Sequence, residues 1–396
     1  MNKIIAGFLI GVVVQSHAVV ADNVRPRARD IGLVVGTMTP GDYNAITDVK
    51  GVMVGHYTAN IGDDIRTGVT AIVPSDHNMY THPVPAWIHV GNGYGKLVGE
   101  TQVREFGEIE TPILLVCTLC VWTAADALKD WQLAKPGEGQ HTLNPVVGET
   151  NDSLVNNMWS ADSAKADYVV AALDAASSGP VEEGSVGAGR GTQAFGWKGG
   201  IGTSSRVLPE SLGGYTVGVL VQTNFGGDLN MNGAPVGREL GRYDHKAQLE
   251  GARRGQMGMD GGSMMMVVAT DAPILSRNLD RLSKRAMMGI SRTGSVAHNS
   301  SGDYVIAFST NEQVRRNRAA RQPVPAKTLT NAAMSPLFQA VVEAIQEAVY
   351  NAMLKAETVS SSRGTLEAID VNKVKAILEK YRVTNFDKNL PPLAPR

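Results

Sequence analysis

Apolar residues fall along this chain in two rhythms. Short runs dominated by aliphatic and β-branched residues, bounded by Gly, Pro, Asn and Asp, occur at 31–36, 51–56, 68–74, 87–90, 111–121, 217–223, 264–270 and 304–309. Each reads as a strand. Between them, apolar residues return every three to four positions. Leu275, Leu279, Leu282, Ala286, Met287 and Ile290 share one face of a helix, and Leu337, Val341, Ile345, Ala348 and Val349 mark a second helix over about 334–353. The Gln- and Glu-rich opposite face of that second helix is expected to meet solvent. Strands and helices mixed along the whole length predict a single α/β body rather than a string of separate domains.

The first residues differ from the rest. Lys3 precedes an apolar stretch from Ile4 to Val14, and small residues follow at Ser16, Ala18 and Ala21. These match the charged, hydrophobic and cleavage regions of a secretory signal, with cleavage after Ala18 or Ala21. The apolar stretch is too short to span a bilayer. Residues 1–21 are therefore expected to be removed, and the mature chain to be periplasmic or secreted. Two polar segments, 135–142 and 314–327, read as surface; the second carries Arg315, Arg316, Arg318 and Arg321 and fits a solvated linker.

Composition narrows the partners. Among 396 residues, 37 Lys and Arg face 38 Asp and Glu, a formal charge of −1, with no block of either sign large enough to favour nucleic acid or an anionic membrane. A small-molecule or peptide ligand fits better. The two cysteines, Cys117 and Cys120, fall inside the strand expected at 111–121. Positions three apart on a strand face opposite ways, so the pair reads as two buried hydrophobes rather than a disulfide or metal site. No GxSxG, Walker A or HExxH sequence is present, and the eight His residues, His77, His82 and His89 among them, show no metal-ligand spacing. Neither a metal nor an organic cofactor is expected. Gly187-Ala-Gly-Arg-Gly-Thr192 lacks the GxGxxG spacing and reads as a packing or substrate loop.

The informative stretch is Met259-Asp-Gly-Gly-Ser-Met-Met-Met-Val-Val-Ala-Thr-Asp-Ala-Pro273. Two glycines give the backbone freedom, and Ser263 then opens an apolar run that should be an interior strand. If the Gly262 carbonyl is presented to the Ser263 hydroxyl, an N-to-O acyl shift can follow. Hydrolysis of that ester would release a new N-terminal serine. Its α-amine, with a reference pKa of about 8, could take the proton from its own hydroxyl, so one residue would serve as nucleophile and base. By spacing alone, Gly-Gly-Ser before a strand also fits an ordinary turn.

The Gly262-Ser263 junction followed by Val-Val-Ala-Thr-Asp-Ala-Pro resembles the processing site of the serine aminopeptidases, the family of L-aminopeptidase/D-amino-acid esterases and β-peptidyl aminopeptidases. Asn44-Ala-Ile-Thr-Asp-Val-Lys-Gly-Val-Met-Val-Gly-His56 and Thr67-Gly-Val-Thr-Ala-Ile-Val-Pro74 are similar to its N-terminal signature. Asn144-Pro-Val-Val-Gly-Glu-Thr-Asn-Asp152, Gly199-Gly-Ile-Gly-Thr-Ser-Ser-Arg206 and the segment from Arg292-Thr-Gly to Ser301-Gly-Asp-Tyr-Val-Ile-Ala-Phe-Ser-Thr310 continue the likeness over nearly the whole mature chain.

That resemblance implies a four-layer α/β/β/α sandwich, like other self-processing N-terminal-nucleophile hydrolases but with different connectivity. It implies an α chain of residues 22–262 and a β chain of 263–396 from one precursor, in tetramers of αβ units. It also assigns roles. Ser263 matches the nucleophile and Asn224 the oxyanion donor, although an Asn at a strand end also fits a turn cap. Glu149 matches the carboxylate that receives the substrate's amino group. Ser301 and Asp303 match a second serine and a nearby acid that position the Ser263 amine and hydroxyl and relay a proton to the leaving amine; a turn at the strand entrance is the plainer reading, and some relatives carry Glu in place of Asp303. Asn151 falls where relatives preferring α-amino acids have Tyr, which is closer to the β-peptidyl branch. The implied activity is removal of the first residue, a β-amino acid, from small peptides, amides or esters. Three rivals are an enzyme preferring α-amino acids, an exported binding protein without turnover, and an enzyme that transfers the acyl group to amines.

Overall fold

A strand that is apolar at every position needs a covering layer on both sides, and the run after Ser263 is such a strand. The structure, a computed structural model, describes residues 25–135, 142–251 and 262–388. The expected signal at 1–21 lies outside them, as does most of the polar segment 135–142. Met53–Ile61 (β1), Ile65–Val73 (β2), Ile113–Cys117 (β5) and Val146–Thr150 (β6) form a four-stranded sheet in the order β1-β2-β5-β6. Val84–Gly93 (β3), Glu108–Ile109 (β4), Gly200–Val207 (β7), Thr216–Asn224 (β8), Gly262–Thr270 (β9) and Ser301–Ser309 (β10) form a six-stranded sheet in the order β4-β3-β10-β9-β8-β7. The pairs β5/β6 and β9/β10 are parallel; the other pairings within the two sheets are antiparallel.

Side-chain alternation sorts the core into layers. Met264, Met266 and Val268 of β9 join one apolar cluster with the helices Ser276–Arg292 (α4) and Ser335–Lys355 (α5), while Met265, Val267 and Ala269 join another with Ile72 and Leu115 of the smaller sheet. A third cluster lies between that smaller sheet and the helices Val121–Leu133 (α2) and Ala166–Asp174 (α3). The result is a four-layer α/β/β/α sandwich with β9 central in the larger sheet.

Three expectations are corrected. Residues 31–36 are not a strand: a short 3-10 turn, Arg29–Ile31, is followed by irregular chain in which Gly32 (φ 77°) and Gly36 (φ 74°) adopt left-handed conformations that interrupt extension. Leu33 and Val35 are still buried, which is why the run is apolar. The strand expected at 111–121 stops at Cys117, and α2 starts at Val121. Cys117 and Cys120 therefore stand at the two ends of a turn, with Cα atoms 5.0 Å apart, and are joined by a disulfide. The opposite-face argument fails because the chain leaves the strand between them.

The third correction concerns α5, whose polar face does not meet solvent. Residues 25–48 cross over that face and bond Glu343, Glu347 and Asn351, which are buried, while the buried Gln346 bonds Asn232 and Tyr350. The buried Arg206 guanidinium donates to Glu347 Oε2 at 2.7 Å and to Glu343 Oε2 at 3.3 Å, and Arg29 donates to Glu347 Oε1 at 2.9 Å. Glu343 also accepts the main-chain N–H groups of Thr37 and Met38, each at 3.1 Å. Burial alone would raise the Glu347 carboxyl, but Arg206 and Arg29 outweigh it and hold it below the usual range. Removing one partner strands the others in low dielectric. Arg206→Met is expected to destabilise the fold by about 3–5 kcal/mol, read as a lower denaturant midpoint; an unmoved midpoint would mean that the two carboxylates are neutral or reach water.

Gly187-Ala-Gly-Arg-Gly-Thr192 packs between the sheets. Gly187 (φ 50°) leaves no room for a Cβ, which would stand 2.4 Å from Thr70 Oγ1. The basic segment 314–327 is largely exposed, but Arg318 pairs with the buried Glu110.

Candidate active site

The ends of β6, β8, β9 and β10 open onto one cavity of about 1300 Å³, whose walls include Lys96, Glu149, Asn151, Asn224, Asp244 and Ser263. The sheet brings two of these side by side. Asn224, the last residue of β8, is the register partner of Ser263 on β9. Ser263 is buried, and its Oγ donates a hydrogen bond to the Gly262 carbonyl oxygen at 2.6 Å. The hydroxyl thus lies beside the carbonyl it would have to attack, and a rotation about its own side chain carries it from oxygen toward carbon. Gly262 is required for packing as well as access. A Cβ there would stand 2.7 Å from both the Asn224 carbonyl oxygen and Phe225 Cα.

Asn224 is oriented by its own carbonyl. Its Oδ1 accepts the main-chain N–H of Gln193 at 3.0 Å, so Nδ2 is the end left for the cavity, and no acceptor holds it among the described residues. An amide fixed in this way is a preorganised donor for an oxygen that gains charge.

Glu149 is on β6, buried, with Oε1 accepting the main-chain N–H of Lys96 at 3.0 Å. The Lys96 ammonium stands 3.7 Å from the same oxygen and is tied to Thr118 Oγ1 at 2.7 Å. Oε2 is buried with no hydrogen-bond partner among the described residues. A buried carboxylate oxygen left unsatisfied is costly, and it marks where a donor belongs. Asn151 lines the same cavity, and its Oδ1 accepts the Ser153 main-chain N–H at 2.9 Å.

Ser301 and Asp303 are joined, Oγ to Oδ1, at 2.8 Å. The parallel register sets Gly262 against Ser301, Ser263 against Gly302 and Met264 against Asp303. By alternation the Ser263 side chain shares a face of the sheet with Gly302, whereas Ser301 and Asp303 belong to the opposite face, with Gly262 and Met264. Asp303 is buried, and that desolvation pushes its carboxyl up to about 6, against the opposing pull of the Ser301 hydroxyl and His298.

This sets a stability signature. Because the folded state holds the Asp303 proton more tightly than the unfolded chain, its contribution is complete below about pH 4 and is lost as pH rises through about 6. Asp303→Asn, neutral throughout, is expected to gain stability on the parent chain between pH 4 and pH 7 while losing activity. Thermal unfolding at both values checks this. A gap that widened toward acid would contradict a desolvated carboxyl at 303.

Two features escape sequence reading. His298 Nε2 and Asp244 Oδ2 lie 2.6 Å apart, with Asp244 on the cavity wall and the partly buried His298 acting electrostatically on Asp303. Their separation of 54 residues leaves no local signal in the sequence. Lys96 lies in Gly93-Tyr-Gly-Lys96, and that glycine-rich exit from β3 was its one visible cue. Among the described residues no cluster of three or more His, Cys, Asp or Glu could hold a metal.

Comparison with known proteins agrees with this geometry. Residues 44–366 match Peptidase family S58. The beta-peptidyl aminopeptidase BapA of Sphingosinicella microcystinivorans is 38% identical over 373 residues, covering 90% of this chain and 93% of its own. The solved Burkholderia sp. beta-aminopeptidase superposes with a TM-score of 0.80 at 38% identity, covering 90% of this chain and 99% of that one. The L-aminopeptidase D-Ala-esterase/amidase of Ochrobactrum anthropi, a prototype for the serine aminopeptidases and a variant of the Ntn-hydrolase fold, superposes with a TM-score of 0.80 at 34% identity over 91% of this chain and all of its own. The two packed sheets, the serine at the head of the central strand and the matched length together place this chain in Peptidase family S58, as a serine peptidase with a variant Ntn-hydrolase fold.

Proposed function

We propose that the chain is an exported aminopeptidase that removes an N-terminal β-amino acid from small peptides, amides or esters, using a Ser263 nucleophile released by its own scission at Gly262-Ser263. One observation carries the reading. The unpartnered, buried Oε2 of Glu149 shares a cavity with the Ser263 hydroxyl, so a substrate whose ammonium satisfies Glu149 has its acyl end within the reach of Ser263.

The steps follow from the side chains. Ser263 Oγ adds to the Gly262 carbonyl carbon, the peptide nitrogen leaves as the new α-amine, and water hydrolyses the ester. In each later turnover the amine takes the hydroxyl proton as Oγ attacks the substrate carbonyl. Asn224 Nδ2 donates to the developing oxyanion, the departing amine carries the proton away, and water releases the acyl group. The Ser301–Asp303 pair flanks the amine and orients it.

The β-preference is supported by Asn151 on the cavity wall, a slimmer residue than the Tyr of relatives preferring α-amino acids, which suits an amine one methylene further from the carbonyl. Export is supported by the signal-like residues 1–21 and by the Cys117–Cys120 disulfide, which suits an oxidising compartment. Assembly as a tetramer of αβ units belongs to the same proposal, and sedimentation tests it.

Parallel assays of β-alanyl and L-alanyl anilides test the substrate class. A higher kcat/KM for the β-compound is expected, a bias toward the α-compound would replace the β-label, and absence of any turnover would leave a binding protein. Added amine acceptors should not divert most of the acyl group, as they would in a transferase. Glu149→Gln is expected to raise KM and cut kcat/KM by about 10- to 100-fold, since a hydrogen bond to a charged group contributes about 1.5–3 kcal/mol. Unchanged KM would move the ammonium site elsewhere.

A further inference from the structure

The ammonium site proposed above has a second charge built into it that a simple β-amino acyl group would not use. The loop after β3 is pressed onto Glu149: a Cβ on Gly95 would stand 3.0 Å from Glu149 Oε1 and 3.1 Å from the Tyr304 ring. That contact sets the Lys96 ammonium 3.7 Å from Oε1, half-buried on the cavity wall. Thr118 Oγ1 accepts one of its hydrogen bonds, at 2.7 Å, and an ammonium can donate three. The Thr118 side of this arrangement is held in place by the Cys117–Cys120 disulfide, which closes the turn on which Thr118 sits.

For a substrate bearing only an ammonium at this end, Lys96 is a handicap, because it offsets the Glu149 charge that the substrate must find. For a head group that carries both charges on one carbon, the pair is complementary, with Glu149 Oε2 for the ammonium and Lys96 for a carboxylate. A β-linked aspartyl residue has this form. It is a β-alanyl group with a carboxylate on the amine-bearing carbon, so its amine stands at the β-alanyl distance from the scissile carbonyl.

We propose that this site takes β-aspartyl peptides and amides, with Lys96 the residue that selects for the α-carboxylate; the proposal rests on the β-amino acyl reading above. Ser263 Oγ forms the ester to the aspartyl side-chain carbonyl carbon as the C–N bond breaks, the amine departs with the hydroxyl proton, and water cleaves the ester to give free aspartate and the regenerated hydroxyl. No further reactant is needed.

The test compares kcat/KM for β-L-aspartyl and β-alanyl anilides on the processed enzyme and on Lys96→Met and Lys96→Arg. The parent enzyme should hydrolyse the β-aspartyl compound at least as well as the β-alanyl one. Lys96→Met should lower the ratio of the two by about tenfold or more, and Lys96→Arg should retain most of it. Turnover of the β-alanyl compound without the β-aspartyl one, or an equal loss of both in Lys96→Met, would overturn the proposal. Turnover of L-alanyl anilide with neither β-compound would overturn the parent β-reading and this proposal with it.

Discussion

Ser263→Ala is expected to give one uncut polypeptide with no measurable turnover, a loss on the order of 10⁶-fold of the kind seen when a serine hydrolase loses its nucleophile. A single hydroxyl carries both events. It already touches the Gly262 carbonyl oxygen at 2.6 Å, and without scission there is no α-amine to act as base. The substitution removes little else, because the strand around it, Met264 to Thr270, is held by its own apolar packing on both faces. Intact mass and anilide hydrolysis read the two consequences separately. Residual turnover by uncut Ser263→Ala would point to another nucleophile, and a cut chain would point to an external protease.

Asn224→Ala comes next in size. Loss of an oxyanion donor costs about 10²- to 10³-fold in kcat with little change in KM. The residue has a structural duty too, since Oδ1 takes the buried Gln193 N–H, and stranding that group costs about 1–3 kcal/mol of stability. Asn224→Asp separates the two. It keeps an acceptor for Gln193 and removes the Nδ2 donor, so the kcat loss should persist while the stability loss shrinks. A kcat retained in Asn224→Asp would show that the oxyanion is held by other groups.

The parts of this protein that were readable in sequence are those whose cause is local. The apolar run after Ser263 and the heptad-like spacing of Leu275 to Ile290 name a buried strand and a packed helix because burial on those faces leaves its period in the chain. The layer order came from resemblance, since no local pattern states which sheet meets which. The reading of α5 failed for a physical reason. A Glu- and Gln-rich face predicts water only if no distant arginine reaches it, and Arg206 lies 137 residues from Glu343. The alternation of a strand separates Cys117 from Cys120, but the strand ends at Cys117 and the turn after it brings the two sulfurs together. The site divides the same way. Ser263 announces itself through the glycines before it and the strand after it, whereas Lys96 and the His298–Asp244 pair gain meaning only from neighbours that the fold supplies.

The most direct test of the account is denaturing electrophoresis of freshly purified, active protein, with N-terminal sequencing of the smaller band. The account predicts two chains, the smaller beginning Ser263-Met264-Met265. Full activity residing in one continuous polypeptide, with Ser263 still joined to Gly262, would contradict it.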